Sequence, residues 1–213
     1  MKLYYSPGAC SLSPHIVLHE AGLAFTAEMA STKTHQLKDG TDYYSINPLG
    51  YVPLLVLNDG TQLSEGPAIV QYIADQVPDK ELAPANGSMA RYQLQSLLNF
   101  ISTELHKGFS PLFNPATPAD YKPAVTEKLL SRMAWIDSQL AGKQYMMGDT
   151  FTVADAYLFT VTGWGAYVKV LIGLCQHQRP PRPRGRTPGR ASGLARRRPA
   201  EVKNRGAGVR RQG

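Results

Sequence analysis

The chain is poor in cysteine: of its 213 residues only Cys10 and Cys175 carry a thiol. Two cysteines cannot build the disulfide framework of a small secreted domain, so the sequence points to a reducing, cytoplasmic setting. No second cysteine stands at a C-x-x-C spacing from Cys10, which excludes a self-contained dithiol cycle there. Long hydrophobic runs are also lacking. The longest uncharged apolar stretch, residues 156–168, is too short to span a bilayer. Lys2 is followed by aromatic residues and Ser6-Pro7-Gly8 rather than the apolar segment of a secretory signal, so no membrane partner is expected. Metal ligands are sparse too. His15 and His19 lie one helical turn apart without a third ligand, and His19-Glu20 lacks the second histidine of H-E-x-x-H, so no metal is expected. No internal repeat is present.

Acidic residues are scarce at one end only. Residues 171–213 hold 12 of the 23 Lys and Arg but one of the 16 Asp and Glu, so the first 170 residues carry a net charge of −4 within a chain of +7. From residue 176 onward the chain also has no aromatic residue and no amphipathic period, as in Arg182-Pro183-Arg184-Gly185-Arg186. Three readings compete for this segment: a disordered arm that binds nucleic acid or another polyanion, a solvated tail without function, and a GC-rich gene translated out of frame. The Arg, Pro, Gly and Ala composition favours the last.

What is present begins with Met1 to Glu20. Lys2-Leu3-Tyr4-Tyr5 reads as a short buried strand ending at the turn signal Ser6-Pro7-Gly8. A helix follows, with Ser11 or Ser13 as cap, Pro14 in its first turn, Ile16, Val17, Leu18 and Ala21 on its apolar face, and Gly22 as its stop. Cys10 therefore stands at the mouth of a helix. There, unpaired N–H groups and the positive end of the macrodipole favour a thiolate, and a pKa depressed to about 6.5 is expected. A more acidic thiol is also a weaker nucleophile, so such a site would owe most of its rate to holding a reactant in place.

Further along, residues 25–29 alternate like a strand and residues 32–40 read as a polar loop with Lys33, His35 and Lys38. Tyr43 to Ile46 reads as a short helical turn ended by Asn47-Pro48. Leu54 to Leu57 and Thr61 to Ser64 flank Asn58-Asp59-Gly60, a hairpin signal. Pro53, at the first strand's start, cannot donate to the ladder, which frees the backbone of Val52 for another partner such as a peptide ligand. Ser64-Glu65-Gly66-Pro67 opens a helix whose buried face is Ala68, Ile69, Tyr72 and Ile73. An α/β sandwich thus closes by about residue 77. Residues 78–87 read as a linker, and 88–170 as all-helical. A long helix starts at Ser88 and carries Tyr92, Leu94, Leu97, Leu98, Ile101 and Leu105 to Phe109, broken by Pro111 and Pro115. A second runs from about Pro123 to Leu140, and a third, buried on nearly all sides, starts at the capping-box-like Thr152-Val153-Ala154-Asp155.

Ser6-Pro7-Gly8-Ala9-Cys10-Ser11, Asn47-Pro48, Val52-Pro53, Ser64 to Ile69, Glu104 to Lys107 and Phe151 to Tyr157 together resemble the bacterial beta-class glutathione S-transferases. The chain is especially similar to members associated with biphenyl and aromatic catabolism. The resemblance spans about residues 1–170. It implies a thioredoxin-like α/β N-terminal domain over 1–77, an all-α C-terminal domain over 88–170, a homodimer, and glutathione as co-substrate.

On that resemblance Cys10 lies against the glutathione sulfur and can form a mixed disulfide with it. Pro53 is the cis-proline, and Val52 gives backbone hydrogen bonds to the cysteinyl part. Glu65 and the backbone of Gly66 hold the γ-glutamyl end, where relatives often carry a serine in place of Gly66. His35 stands where relatives carry a lysine facing the glycyl carboxylate. Asn99 reaches a partner subunit's ligand, and His106 stands near the sulfur and lends electrostatic help. Read from the residues alone, His106 and Lys107 could equally be a helix-end cation pair and Asn99 a core hydrogen-bonder. The implied activity is conjugation of the glutathione thiolate to small hydrophobic electrophiles, with Cys10-dependent thiol–disulfide or dehalogenation chemistry as a variant. The rivals are a non-catalytic carrier of hydrophobic ligands and a polyanion binder acting through the basic tail. Relatives continue past the position of Val170 into further helices, so an incomplete, destabilised helical half is expected.

Overall fold

The computed structural model describes residues 1–170; every reading of the basic segment 171–213, including its disorder or frame-shifted origin, lies outside the described residues. Strands β1 (Lys2–Tyr5), β2 (Thr26–Met29), β3 (Leu54–Val56) and β4 (Gln62–Ser64) form one sheet in the order β2-β1-β3-β4. β1 and β2 are parallel and are joined by α1 (Leu12–Ala21), the kind of crossover a parallel pair needs. β3 runs antiparallel to β1 and to β4, with Leu3 opposite Leu55 and Tyr4 opposite Leu54. The two-residue period sends these pairs to opposite faces. Leu3 and Leu55 meet Val17 and Leu18 of α1 and Ile69, Val70 and Ile73 of α2 (Gly66–Asp75). Tyr4 and Leu54 meet Leu37, Tyr43 and Val52 on the other side.

The remainder is helical, as the sequence pattern predicts: α3 (Met89–Phe100), α4 (Lys107–Phe113), α5 (Lys122–Leu140) and α6 (Val153–Thr162). Ser88 caps α3 by accepting the Arg91 N–H at 3.1 Å. The long helix expected from Ser88 to Phe109 is not uniform, because residues 101–106 form a turn of π-helix between α3 and α4. Such a turn carries an extra residue, which moves the following side chains around the axis by about 100° and recurs at functional sites. It ends on His106. Pro111 is carried inside α4, and the helix stops at Asn114, whose extended backbone is what the residue before Pro115 adopts.

Residues 78–87 are not a slack linker. Leu82 is buried and its carbonyl accepts the Val153 N–H at 2.9 Å, while the Pro84 carbonyl accepts from Arg91. The Arg91 guanidinium, 3% exposed, also grips both carboxylate oxygens of Asp75, at 2.7 and 2.8 Å. In α6 every residue except Asp155 and Phe159 is buried, and the helix packs on α1, α2 and α3. One core therefore runs through both halves. Among the described residues no helix is long and apolar enough to cross a membrane, and no three His, Cys, Asp or Glu side chains are grouped to hold a metal.

Candidate active site

The loop between β1 and α1 sets the thiol. Ser11 was expected to cap α1; instead its hydroxyl closes the loop, accepting the Ser6 N–H at 3.0 Å and donating to the Ser6 carbonyl at 3.2 Å. Cys10 is thereby laid beside Val52, and its thiol donates to the Val52 carbonyl at 3.3 Å. The Val52–Pro53 peptide is cis. Just before it, the Asn47 amide and the Tyr43 hydroxyl both donate to the Tyr51 carbonyl, at 2.8 and 2.9 Å, which fixes the path of this backbone. The Val52 N–H finds no acceptor among the described residues, so this edge offers a donor.

The helix-mouth argument for an acidic thiol does not survive the packing. The Cys10 thiol is pushed up to about 11, first by burial and further by the Glu65 carboxylate. The N–H groups of Cys10 and Ser11 and the charge of Lys107 pull the other way and are outweighed. Removing a thiolate from water costs more than one helix terminus returns. Cys10 is therefore a neutral thiol at pH 7 in the ligand-free protein. The Cys10 and Ser11 N–H groups donate to no carbonyl among the described residues and face the Cys10 sulfur instead.

Glu65 and Gly66 stand where β4 passes into α2. Glu65 is the residue before the helix and holds φ 67°, ψ 115°, a conformation that costs a non-glycine residue about 1–3 kcal/mol and collects at functional sites. Its carboxylate is close enough to raise the pKa of both Cys10 and Tyr157. Gly66 begins α2, and a Cβ added there meets nothing within 4 Å. His35 is stacked on Tyr44 with ring centroids 4.5 Å apart, and its Nδ1 is buried without a partner against Gly50, two residues before Val52. Asn99 is apart from this group: it is exposed near the end of α3 and its side chain makes no hydrogen bond among the described residues. The core role weighed for Asn99 is thereby excluded.

Next to the Cys10 loop opens a cleft of about 520 Å³ lined by Pro7, Gly8 and Ala9 on one wall and His106, Phe113 and Trp164 on another, with the polar side chains of Thr32, Ser110 and Asn114 completing it. The Trp164 indole donates to the Gly8 carbonyl at 2.9 Å and so joins the two walls. His106 meets Trp164 edge-on at 4.8 Å, and its Nδ1 lies 2.7 Å from the Tyr157 hydroxyl. Burial, with a smaller contribution from the neighbouring Lys107 charge, holds His106 down to about 4. It is a neutral imidazole at pH 7, which removes the helix-end cation pair and leaves the ring a hydrogen-bonding group rather than a charge. In the sequence Tyr157 and Trp164 are only apolar residues of the third helix; Trp164 lies just past α6, in the 3₁₀ turn Gly163–Ala166. The available signal was the hydroxyl itself, since a tyrosine on a helix buried all round must send it to a partner.

A thiol, a cis-proline and a helix N-terminus at one end of a four-stranded sheet, with a helical half closing a cleft beside them, define a thioredoxin-like protein with a C-terminal helical domain. The family profile of the glutathione S-transferase N-terminal domain matches residues 8–76, and that of the C-terminal domain matches residues 100–180. Glutathione S-transferase GstA of Escherichia coli O157:H7 is 48% identical over 177 residues, covering 83% of this chain and 88% of that protein. The solved ternary complex of BphK, a bacterial member, superposes with a TM-score of 0.79 at 58% identity over 81% of this chain and 86% of its own. A sphingomonad enzyme complexed with glutathione gives 0.77 at 47% identity over 80% and 85%. A beta-class enzyme of Sphingomonas chungbukensis gives 0.77 at 45% over the same shares. The chain belongs to the glutathione S-transferase family, and glutathione is its co-substrate.

Proposed function

We propose that the chain conjugates glutathione, as the thiolate, to small hydrophobic electrophiles held in the cleft beside Cys10, working as a cytoplasmic homodimer in detoxification. The observation that carries this is the grouping of Cys10 with the Val52 backbone and the Glu65 carboxylate, next to a cleft whose wall begins at Ala9. A tripeptide laid along Val52 pairs its cysteinyl backbone as an added strand would. Its γ-glutamyl ammonium is met by Glu65, and this cancels the charge that opposes a thiolate beside Cys10. The Gly66 N–H, at the start of α2, takes the γ-glutamyl carboxylate. His35 sits at the glycyl end of that path, and Asn99 serves a ligand on the partner subunit.

The experiment pairs calorimetry with turnover of an aryl halide in wild type and Cys10→Ala. Wild type takes up glutathione and turns over; Cys10→Ala keeps part of the conjugation and loses all mixed-disulfide formation. Absence of glutathione uptake overturns the reading, and uptake without turnover leaves a hydrophobic-ligand carrier. Thiol–disulfide chemistry at Cys10 is favoured as a second activity by the position of its sulfur, 3.3 Å from the Val52 carbonyl whose backbone pairs with the cysteinyl part of the peptide.

Because the space around Gly66 is open, Gly66→Ser adds a hydroxyl donor without a clash. One extra hydrogen bond to a carboxylate is expected to lower the KM for glutathione roughly three- to tenfold with kcat unchanged, as steady-state kinetics will read.

A further inference from the structure

We propose that Tyr157 is a positioning residue that fixes the tautomer of His106: its O–H donates to Nδ1, so the ring keeps its proton on Nε2 and offers the cleft an N–H donor. The inference rests on the proposed function only in saying what that donor serves, namely the sulfur anion. The geometry is independent of it. Tyr157 is 2% exposed, its oxygen is 2.7 Å from Nδ1, and its one proton must go to a nearby acceptor. Two stand within reach, the imidazole nitrogen and the Ser102 hydroxyl beside the phenol. A phenol is a stronger donor than a neutral imidazole N–H, and an imidazole nitrogen is a stronger acceptor than a hydroxyl oxygen. The proton therefore bridges to Nδ1, and Ser102 is left to donate to the phenol oxygen.

The surroundings hold this arrangement. The ring is packed edge-on against Trp164 and Tyr157, so it has no room to present its other edge. The charged and titratable groups around the pair come from three elements. Lys107 of α4 opposes a positive His106, while Cys10 before α1 and Glu65 before α2 oppose a tyrosinate. Lys107 thus keeps the imidazole neutral, while Cys10 and Glu65 keep the phenol protonated. A neutral histidine then serves as a hydrogen-bond donor to developing negative charge without itself giving up a proton. The π-turn matters here, since it ends on His106 and contains Ser102.

The test is ring-nitrogen NMR of the full chain labelled with ¹⁵N-histidine, without glutathione, in wild type and Tyr157→Phe. In wild type the His106 signals should report a bare Nδ1 and a protonated Nε2 from pH 8 down to about 5, as one tautomer. Removing the hydroxyl removes the bond that favours the unprotonated Nδ1. In Tyr157→Phe the titration midpoint should therefore rise by at least about one pH unit, a roughly tenfold gain in proton affinity, and both tautomers should appear. The pH profile of kcat should gain a limb near about 5 that wild type lacks, while glutathione affinity at pH 7.5 stays within about twofold. A protonated Nδ1 in wild type overturns the proposal, and so does an unchanged tautomer and midpoint in the variant. The wild-type measurement decides the tautomer even if the variant fails to fold. A protein that shows the bare Nδ1 yet takes up no glutathione refutes the proposed function and leaves this inference standing.

Discussion

Alkylation of Cys10 by iodoacetamide in the glutathione-free protein is expected to accelerate about tenfold for each pH unit from 7 to 10, with no plateau near pH 8.5. The reason is the buried thiol, held up to about 11. Only the thiolate reacts, and at pH 7.5 a group with that pKa is ionised to roughly one part in several thousand, against about one part in ten for an ordinary cysteine. Folded Cys10 should therefore react some hundreds of times more slowly than the same residue in urea, read by peptide-resolved mass spectrometry so that Cys175 is counted separately. The same shift has a stability consequence of definite sign. The folded state binds the thiol proton more tightly, so the stabilisation is complete below the ordinary thiol pKa and is lost as pH rises toward about 11. A rate that levels off below pH 8 would mean that the helix mouth wins over burial after all.

That contest shows what could and could not be read from residues alone. The short aromatic run of β1 with its turn signal, the Asp-Gly turn and the caps at Ser88 and Thr152 are local signals, and the sheet and helices follow them closely. That Cys10 and Val52 would face the same peptide ligand came from the family resemblance rather than from the residues, and the 3.3 Å contact between them belongs to the fold. The sign of the Cys10 shift was not legible. It depends on how much water the rest of the fold removes, and that is a sum over residues as distant in sequence as Glu65 and Lys107. The π-turn at residues 101–106 escaped for a related reason. A helical period read over twenty residues averages away one extra residue, and that residue is what delivers His106 to the cleft. His106 as a neutral group, and the Tyr157 hydroxyl behind it, likewise belong to packing rather than to pattern.

Replacing Asp155 by alanine is expected to cost about 3–5 kcal/mol, a large share of the roughly 5–15 kcal/mol that holds a domain together. Asp155 is the carboxylate of the capping box, but its reach is wider than a cap. One oxygen accepts the Thr152 N–H at 2.8 Å and the Thr152 hydroxyl at 2.9 Å, and the other accepts the Met146 N–H at 2.7 Å. Thr152 and Met146 are 3% and 5% exposed, so no water can replace the lost acceptor. Each stranded N–H costs about 1–3 kcal/mol, and the lost cap adds about 1. Because α6 joins both halves of the core, the loss should appear as one earlier urea transition rather than as local fraying. Asp155→Asn keeps an acceptor and should cost less. Burial raises the Asp155 pKa even against its three donors, so the folded state holds this proton more tightly than the unfolded chain does. The linkage then runs opposite to an ordinary salt-bridged carboxylate. The group contributes most at low pH and loses that contribution as pH rises through its folded pKa, so the penalty for Asp155→Asn should grow as pH is lowered from 7 toward 4. A penalty that shrinks on acidification would mean that the carboxylate is held in its charged form by those donors more strongly than burial opposes it.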